Sequence, residues 1–181
     1  MIEFPISKAF QFIEPGPVVL VSTAHKGKAN VMTLSWHTVI DFTPLIGCVI
    51  GPWDWSYNAL MATRECVIAV PTVDLLEKVV DIGNCSGKDV DKFARFGLTP
   101  LPAKDVQAPL IAECLANIEC RVVDTTLTDK YGLSILEGVR AWIDPDRKER
   151  RTCHANGDGT FVVDGETIDL KERMVKWQDT L

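Results

Sequence analysis

Asn30-Val31-Met32-Thr33-Leu34-Ser35-Trp36-His37 is the stretch of this chain richest in groups that can read a ligand. On a regular strand Thr33, Ser35 and His37 share one face, while Met32, Leu34 and Trp36 share the other. Hydroxyls two residues apart suit a polar ligand lying along the strand. Main-chain N–H and C=O groups beside them can read the edge of a heterocycle, and an indole such as Trp36 can cover a flat ring. The plainer reading is a half-buried strand whose hydroxyls meet solvent or backbone, and composition alone favours it. Two further positions suit an anion. Ser56 is placed to open a helix, where free N–H groups and the helix dipole attract phosphate. A plain N-cap is the simpler account of it. Lys92 points away from the apolar stripe of Val90, Phe93 and Ala94, and a solvated lysine is its simpler account.

Other chemistries find little support. There is no G-x-G-x-x-G, no G-x-x-x-x-G-K-[ST] and no G-x-S-x-G. The six cysteines, at positions 48, 66, 85, 114, 120 and 153, include no C-x-x-C pair. Cys114 and Cys120 read as lying on one face of one strand but six residues apart, roughly 20 Å, too far for a disulfide or a shared metal. Cys48 and Cys66 sit in apolar runs and read as packing residues. Cys153-His154 supplies two ligands where zinc needs more, so no metal site is expected. His25 falls in a turn, and no Ser/His/Asp order can be argued from spacing. No side chain is singled out as a catalytic acid or base.

The elements that must position these residues follow from patterning. Val18 to Thr23 reads as a strand, His25 to Lys28 as a hairpin turn, and Ala29 to Val39 as the returning strand. Leu45 to Ile50 and Cys66 to Val70 are apolar strands. Two long period-2 strands follow, over Cys114 to Val122 and Leu133 to Ile143. Gly157-Asp158-Gly159 turns into a short strand, Phe161 to Val163. Short helices are expected over Ser7 to Ile13 and from Ser56 to about Arg64. D-x-x-E and S-x-x-D patterns at Asp74/Glu77 and Ser86/Asp89 mark two more, the second stopped by Gly97. Leu170, Met174 and Trp177 are spaced for a C-terminal helix. Strands outnumber helices, so the fold is a mainly antiparallel barrel or sandwich carrying helices, and not a β-α-β series.

The chain has 181 residues, with Lys plus Arg 19 against Asp plus Glu 25, a net charge of −6. That balance argues against nucleic acid or an anionic membrane as the main partner, and leaves room for a small anionic ligand. No apolar run approaches the length of a membrane span, and the N-terminus does not read as a signal peptide. Together with the cysteine pattern, this predicts a reduced, cytoplasmic protein of one domain.

Taken in order, these segments resemble the flavin reductase-like family of FMN-binding split barrels, which includes the flavoredoxins. The likeness begins at Pro17-Val18-Val19-Leu20-Val21-Ser22-Thr23 and continues through Asn30-Val31-Met32-Thr33 with Trp36, then Ser56-Tyr57-Asn58. It is strongest at Ser86-Gly87-Lys88-Asp89-Val90-Asp91-Lys92-Phe93, similar to the family's S-G-x-x-x-D-K-F. Ala108 to Cys114, Glu119-Cys120 and Glu137-Gly138-Val139 extend it, so residues 15 to about 145 are covered and a C-terminal extension follows.

The resemblance implies a single antiparallel split-barrel domain over 1–181. It also implies a homodimer that binds FMN non-covalently near the subunit interface. Carried over by position, Asn30, Met32, Thr33, Ser35 and Trp36 would line the isoalloxazine and ribityl chain. Ser56 and Tyr57 would lie near the phosphate, with Lys92 supplying positive charge. Asn30 and Thr33 cannot share a face of a regular strand, so a bulge or main-chain contacts are expected. The implied activity is a flavin reductase-type oxidoreductase fed by NAD(P)H or a protein donor. The alternatives are a flavoredoxin-like electron carrier, or a binding module holding another ligand. Gly51-Pro52-Trp53-Asp54-Trp55 departs from the family in being aromatic, and either shapes a substrate pocket or packs at a dimer contact.

Overall fold

The computed structural model describes residues 1–176. Its twelve strands are β1 (Ile2–Phe4), β2 (Val19–His25), β3 (Lys28–Leu34), β4 (His37–Asp41), β5 (Leu45–Val49), β6 (Glu65–Val70), β7 (Pro100–Leu101), β8 (Leu110–Ile111), β9 (Ala116–Asp124), β10 (Leu133–Ile143), β11 (Cys153–Ala155) and β12 (Phe161–Val163). The α-helices are α1 (Trp55–Thr63), α2 (Leu76–Gly83), α3 (Lys92–Phe96) and α4 (Thr128–Tyr131). Eight strands form one antiparallel sheet in the order β3-β2-β6-β9-β10-β5-β4, with β1 added on β10. The hairpins β7–β8 and β11–β12 stand apart from it.

Strands β2 and β6 are buried on both faces. Val19 and Val21 join Ile46, Ile68, Ile118 and Leu136 in one core, which Leu60 of α1 closes. Leu20 and Ala69 face the other way, against Val79 and Ile82 of α2 and Phe93 of α3. Helices therefore cover both sides of this end of the sheet, and the run Val18 to Thr23 carries no polar alternation because neither face is wet.

Several expectations are corrected. The returning strand is two strands, β3 and β4, broken at the exposed pair Ser35-Trp36. Leu34 is the last residue of β3 paired to β2 (with Val19), whereas His37 already pairs with Cys48 of β5, so the chain changes partners there. The N-cap of α1 lies two residues before the expected Ser56, at Asp54 in an extended conformation, which leaves Ser56 inside the first turn.

Asp74 and Glu77 do not cap α2. Asp74 takes a hydrogen bond from Thr72 Oγ1 (2.5 Å) and an ion pair from Arg147 (2.8 Å), and a 3-10 turn over Val73–Leu75 leads into the helix. Ser86 and Asp89 do not cap α3 either. That cap is Asp91, which accepts from Ala94 N at 3.1 Å, while Ser86 Oγ holds Lys88 N in a local turn. Gly97 ends α3 with φ +59, as its lack of a Cβ allows. Cys114 lies before β9, in a turn held by Cys114 N to Ile111 O, so it shares no strand face with Cys120. All six cysteines are free thiols. The C-terminal stripe forms a single 3-10 turn, Lys171–Arg173, with Leu170 and Met174 exposed; Trp177 lies outside the described residues. No helix among the described residues is long and apolar enough to cross a membrane.

Candidate functional site

Strand β3 ends the sheet, and among the described residues it pairs only with β2. Its two faces meet different helices. Asn30 donates from Nδ2 to Ser56 Oγ of α1 at 2.9 Å, on one face. Thr33 donates from Oγ1 to the Val79 carbonyl of α2 at 2.5 Å, on the other. A cavity of ≈ 310 Å³ straddles this edge, and Asn30, Met32 and Thr33 all line it. The β2–β3 register runs unbroken from Val19↔Leu34 to His25↔Lys28, so no bulge brings Asn30 and Thr33 to one site. They reach it from opposite faces because the cavity wraps around the last strand.

The far wall runs from Gly83, the last residue of α2, through the following turn to Gly87. Two glycines keep it close to the strand. A Cβ on Gly87 would stand 2.1 Å from Asn30 Oδ1, and one on Gly83 would touch Thr33 at 3.4 Å. At these two glycines the wall is backbone drawn close to the edge strand, and Asn84, Cys85 and Ser86 complete it. The sequence pattern quoted above contained Ser86-Gly87, but Gly83-Asn84-Cys85 carried no signal beyond turn composition.

Lys92 closes the floor. The side chain expected in solvent is only 5% exposed. Its Nζ donates to the Ile82 carbonyl at 2.8 Å, near the C-terminal end of α2, where a cation is favoured. Burial lowers its pKa from the ordinary lysine value, while Cys85 and Asp54 nearby work the other way. An ammonium has three donors and this one spends a single proton on Ile82, so two remain for a ligand in the cavity. Ser56 stands beside it in the first turn of α1, 1% exposed. A buried cation, a serine hydroxyl and a helix N-terminus lining one pocket are a donor set for a phosphate.

The other residues singled out in the sequence lie elsewhere. Ser35 and Trp36 are exposed beyond the cavity, Trp36 by 70%. The Trp36 carbonyl accepts from Val49 N at 3.0 Å, beside the end of β5. Tyr57 packs against the main core. His37 Nε2 donates to the Pro17 carbonyl (2.6 Å), and its Nδ1 is buried without a partner. Trp53, Asp54 and Trp55, from the loop read as shaping a pocket or packing at a dimer contact, do line the cavity, as does Cys85, which the sequence did not single out. No group of three or more His, Cys, Asp or Glu among the described residues is arranged to hold a metal ion.

The structure is an antiparallel sheet with helices on both sides of one end and a polar cavity, lined by Lys92 and Ser56, wrapped around its edge strand. Comparison with known proteins makes this specific. The flavin reductase like domain family matches over residues 13–160, and the chain belongs to that family. The fold is its antiparallel split barrel. An uncharacterised protein of Archaeoglobus fulgidus is 39% identical over 111 residues, 61% of this chain and 63% of that one, so the chain spans under two thirds of that relative's length. An FMN-binding domain of a flavin reductases-like enzyme from Shewanella baltica superposes with TM-score 0.86 at 26% identity, covering 93% of this chain and 96% of the other. Flavoredoxin of Desulfovibrio vulgaris shares the fold, with TM-score 0.77 at 22% identity over 85% and 89% of the two chains.

Proposed function

We propose that the cavity at the edge of β3 binds FMN non-covalently. We further propose that the chain is a flavin reductase-type oxidoreductase, drawing electrons from NAD(P)H or a protein donor. The observation that carries this is the meeting of buried Lys92 and Ser56 at one end of a cavity whose wall is strand backbone with Asn30, Met32 and Thr33. The donor set fits the cofactor. Lys92 and the first turn of α1 suit its phosphate, and the strand edge with the Gly83–Gly87 wall suits ribityl and ring polar atoms.

Bound FMN would supply the electron chemistry, so no acid or base need be built by the protein. The chain's own part is to hold and orient. Asn30 is fixed by Ser56, which leaves its Oδ1 pointed at the Gly87 side of the cavity. Thr33 has committed its proton to Val79, so toward a ligand it offers lone pairs only. Ser35, Trp36 and Tyr57 fall outside the cavity of one subunit. Their assignment to the cofactor fits a homodimer in which the partner covers exposed Trp36 and completes the ring site.

Titrating the purified protein with FMN tests the reading. Saturable uptake with a flavin visible spectrum is expected, and a colourless protein that takes up no FMN overturns it. Anaerobic mixing of the loaded protein with NADH and NADPH separates a reductase from a flavoredoxin-like carrier, which would be reduced slowly by both. Sedimentation tests the dimer.

A further inference from the structure

The tripeptide Trp53-Asp54-Trp55 is unused by the reading above, yet all three residues line the cavity. Both indoles rest on glycine backbone. A Cβ on Gly51 would fall 2.3 Å from the Trp53 ring, and one on Gly132 would fall 3.1 Å from it. Trp55 lies against Gly87, 2.7 Å from where a Cβ would be. A ring seated on main chain in this way is backed along one side and cannot tilt inward. Trp53 is nevertheless 70% exposed and Trp55 49%. The loop between them is fixed as well: Asp54 Oδ2 accepts from Gly51 N at 3.0 Å, and Asp54 N donates to Gly51 O at 2.9 Å.

Two rigid, half-bare indoles at the rim of a cavity form a stacking surface whose ordering cost is already met by the fold. Asp54 lies between them, and its carboxylate also sets the charge that an incoming ring meets. With the cofactor phosphate drawn to Lys92, a second anion would face both that phosphate and Asp54. We propose that Trp53, Asp54 and Trp55 form a docking site, at the mouth of the cavity, for a second ligand: a planar aromatic ring that carries no negative charge. This rests on the cavity holding FMN. The site selects by shape through the indoles and by charge through Asp54.

The test titrates the FMN-loaded protein by calorimetry with p-nitrobenzyl alcohol and with p-nitrobenzoate, which share a ring and differ in charge. The wild type is expected to bind the alcohol saturably and the benzoate at least about tenfold more weakly. With each variant held saturated with FMN, Trp53→Ala is expected to weaken the alcohol about tenfold, with Trp53→Phe recovering most of the loss. Asp54→Asn, which keeps an oxygen for Gly51 N, is expected to narrow the gap between the two ligands. FMN-loaded wild type that ignores the alcohol, or Trp53→Ala that binds it normally, overturns this site while leaving the FMN reading intact. Conversion of a dimer to a monomer by Trp53→Ala also overturns it, since the indoles would then be a subunit contact. A chain that takes up no FMN overturns both.

Discussion

Asn30 Nδ2 sits 2.9 Å from Ser56 Oγ, so the last strand of the sheet is tied to the first turn of α1 across the cavity. Both residues are buried, Asn30 9% exposed and Ser56 1%. The bond fixes the distance between the strand edge and the helix N-terminus, and with it the width of the pocket.

That width depends on Gly87. A methyl group there meets Asn30 Oδ1 at 2.1 Å and Trp55 at 2.7 Å, so one of them must move. Gly87→Ala is expected to cost about 1–3 kcal/mol of stability and to weaken FMN more than tenfold through a displaced Asn30. Denaturant titration and FMN titration of the same variant check the two parts. Unchanged FMN affinity would show that Asn30 does not define the pocket.

Lys92 provides a sharper handle because, on the proposed reading, its charge would meet only the phosphate end of FMN. Lys92→Met keeps the buried stem and removes the ammonium. It is expected to reduce FMN affinity by about tenfold or more while leaving riboflavin affinity nearly unchanged. Loss of affinity for both flavins alike would place the phosphate elsewhere. The variant also leaves the Ile82 carbonyl without its partner, so a modest drop in stability is expected alongside.

His37 links stability to pH. Burial lowers its pKa, and the hydrogen bond to Pro17 only partly opposes this. The folded protein therefore binds this proton less readily than the unfolded chain. The stability that follows is present above the unfolded value of about 6.5 and is lost as pH falls through the folded pKa. Urea titrations between pH 7.5 and 5 are expected to show a decline that is shallower in His37→Asn. One proton contributes a slope of at most about 1.4 kcal/mol per pH unit. An identical slope in the variant would assign the decline to other groups.

Glu119 of β9 holds the loop that follows β7. It is fully buried, and its carboxylate accepts from Lys104 N, Asp105 N and Trp142 Nε1 at 2.6–3.2 Å. Glu119→Ala strands three donors and is expected to destabilise the fold by more than about 3 kcal/mol. The cavity is not among its contacts, so FMN affinity of the folded fraction is expected to survive. Thermal unfolding with and without FMN measures both.

Much of this protein is written in local pattern. The apolar runs at Val18–Thr23, Leu45–Ile50 and Cys66–Val70 all became strands, and so did the two long period-2 segments, although in β10 the buried residues are Ser134, Leu136, Gly138 and Ala141 and register shifts beside Leu136 and Gly138 break the alternation read from its residues. The ordered segments around Asn30, Ser56 and Ser86–Phe93 were enough to point to the family that the comparison over residues 13–160 establishes. Helix starts were less legible. Capping residues work only where their side chains are free, and Asp74 is engaged by Thr72 and Arg147, the latter far along the chain.

Periodicity reports which side of an element is apolar. It does not report where a sheet ends, and so it left Asn30 and Thr33 on opposite faces with no common site. Only the assembled sheet makes β3 an edge that a cavity can wrap around. The same holds for Lys92. Its place on a short helix suggested solvent, because one helix cannot show that the C-terminal end of another lies over it. The fold brings the Ile82 carbonyl to that ammonium and shuts out water. A surface lysine by sequence thereby becomes a buried cation beside Ser56, since long-range packing, and not residue type, sets how much solvent a charge retains.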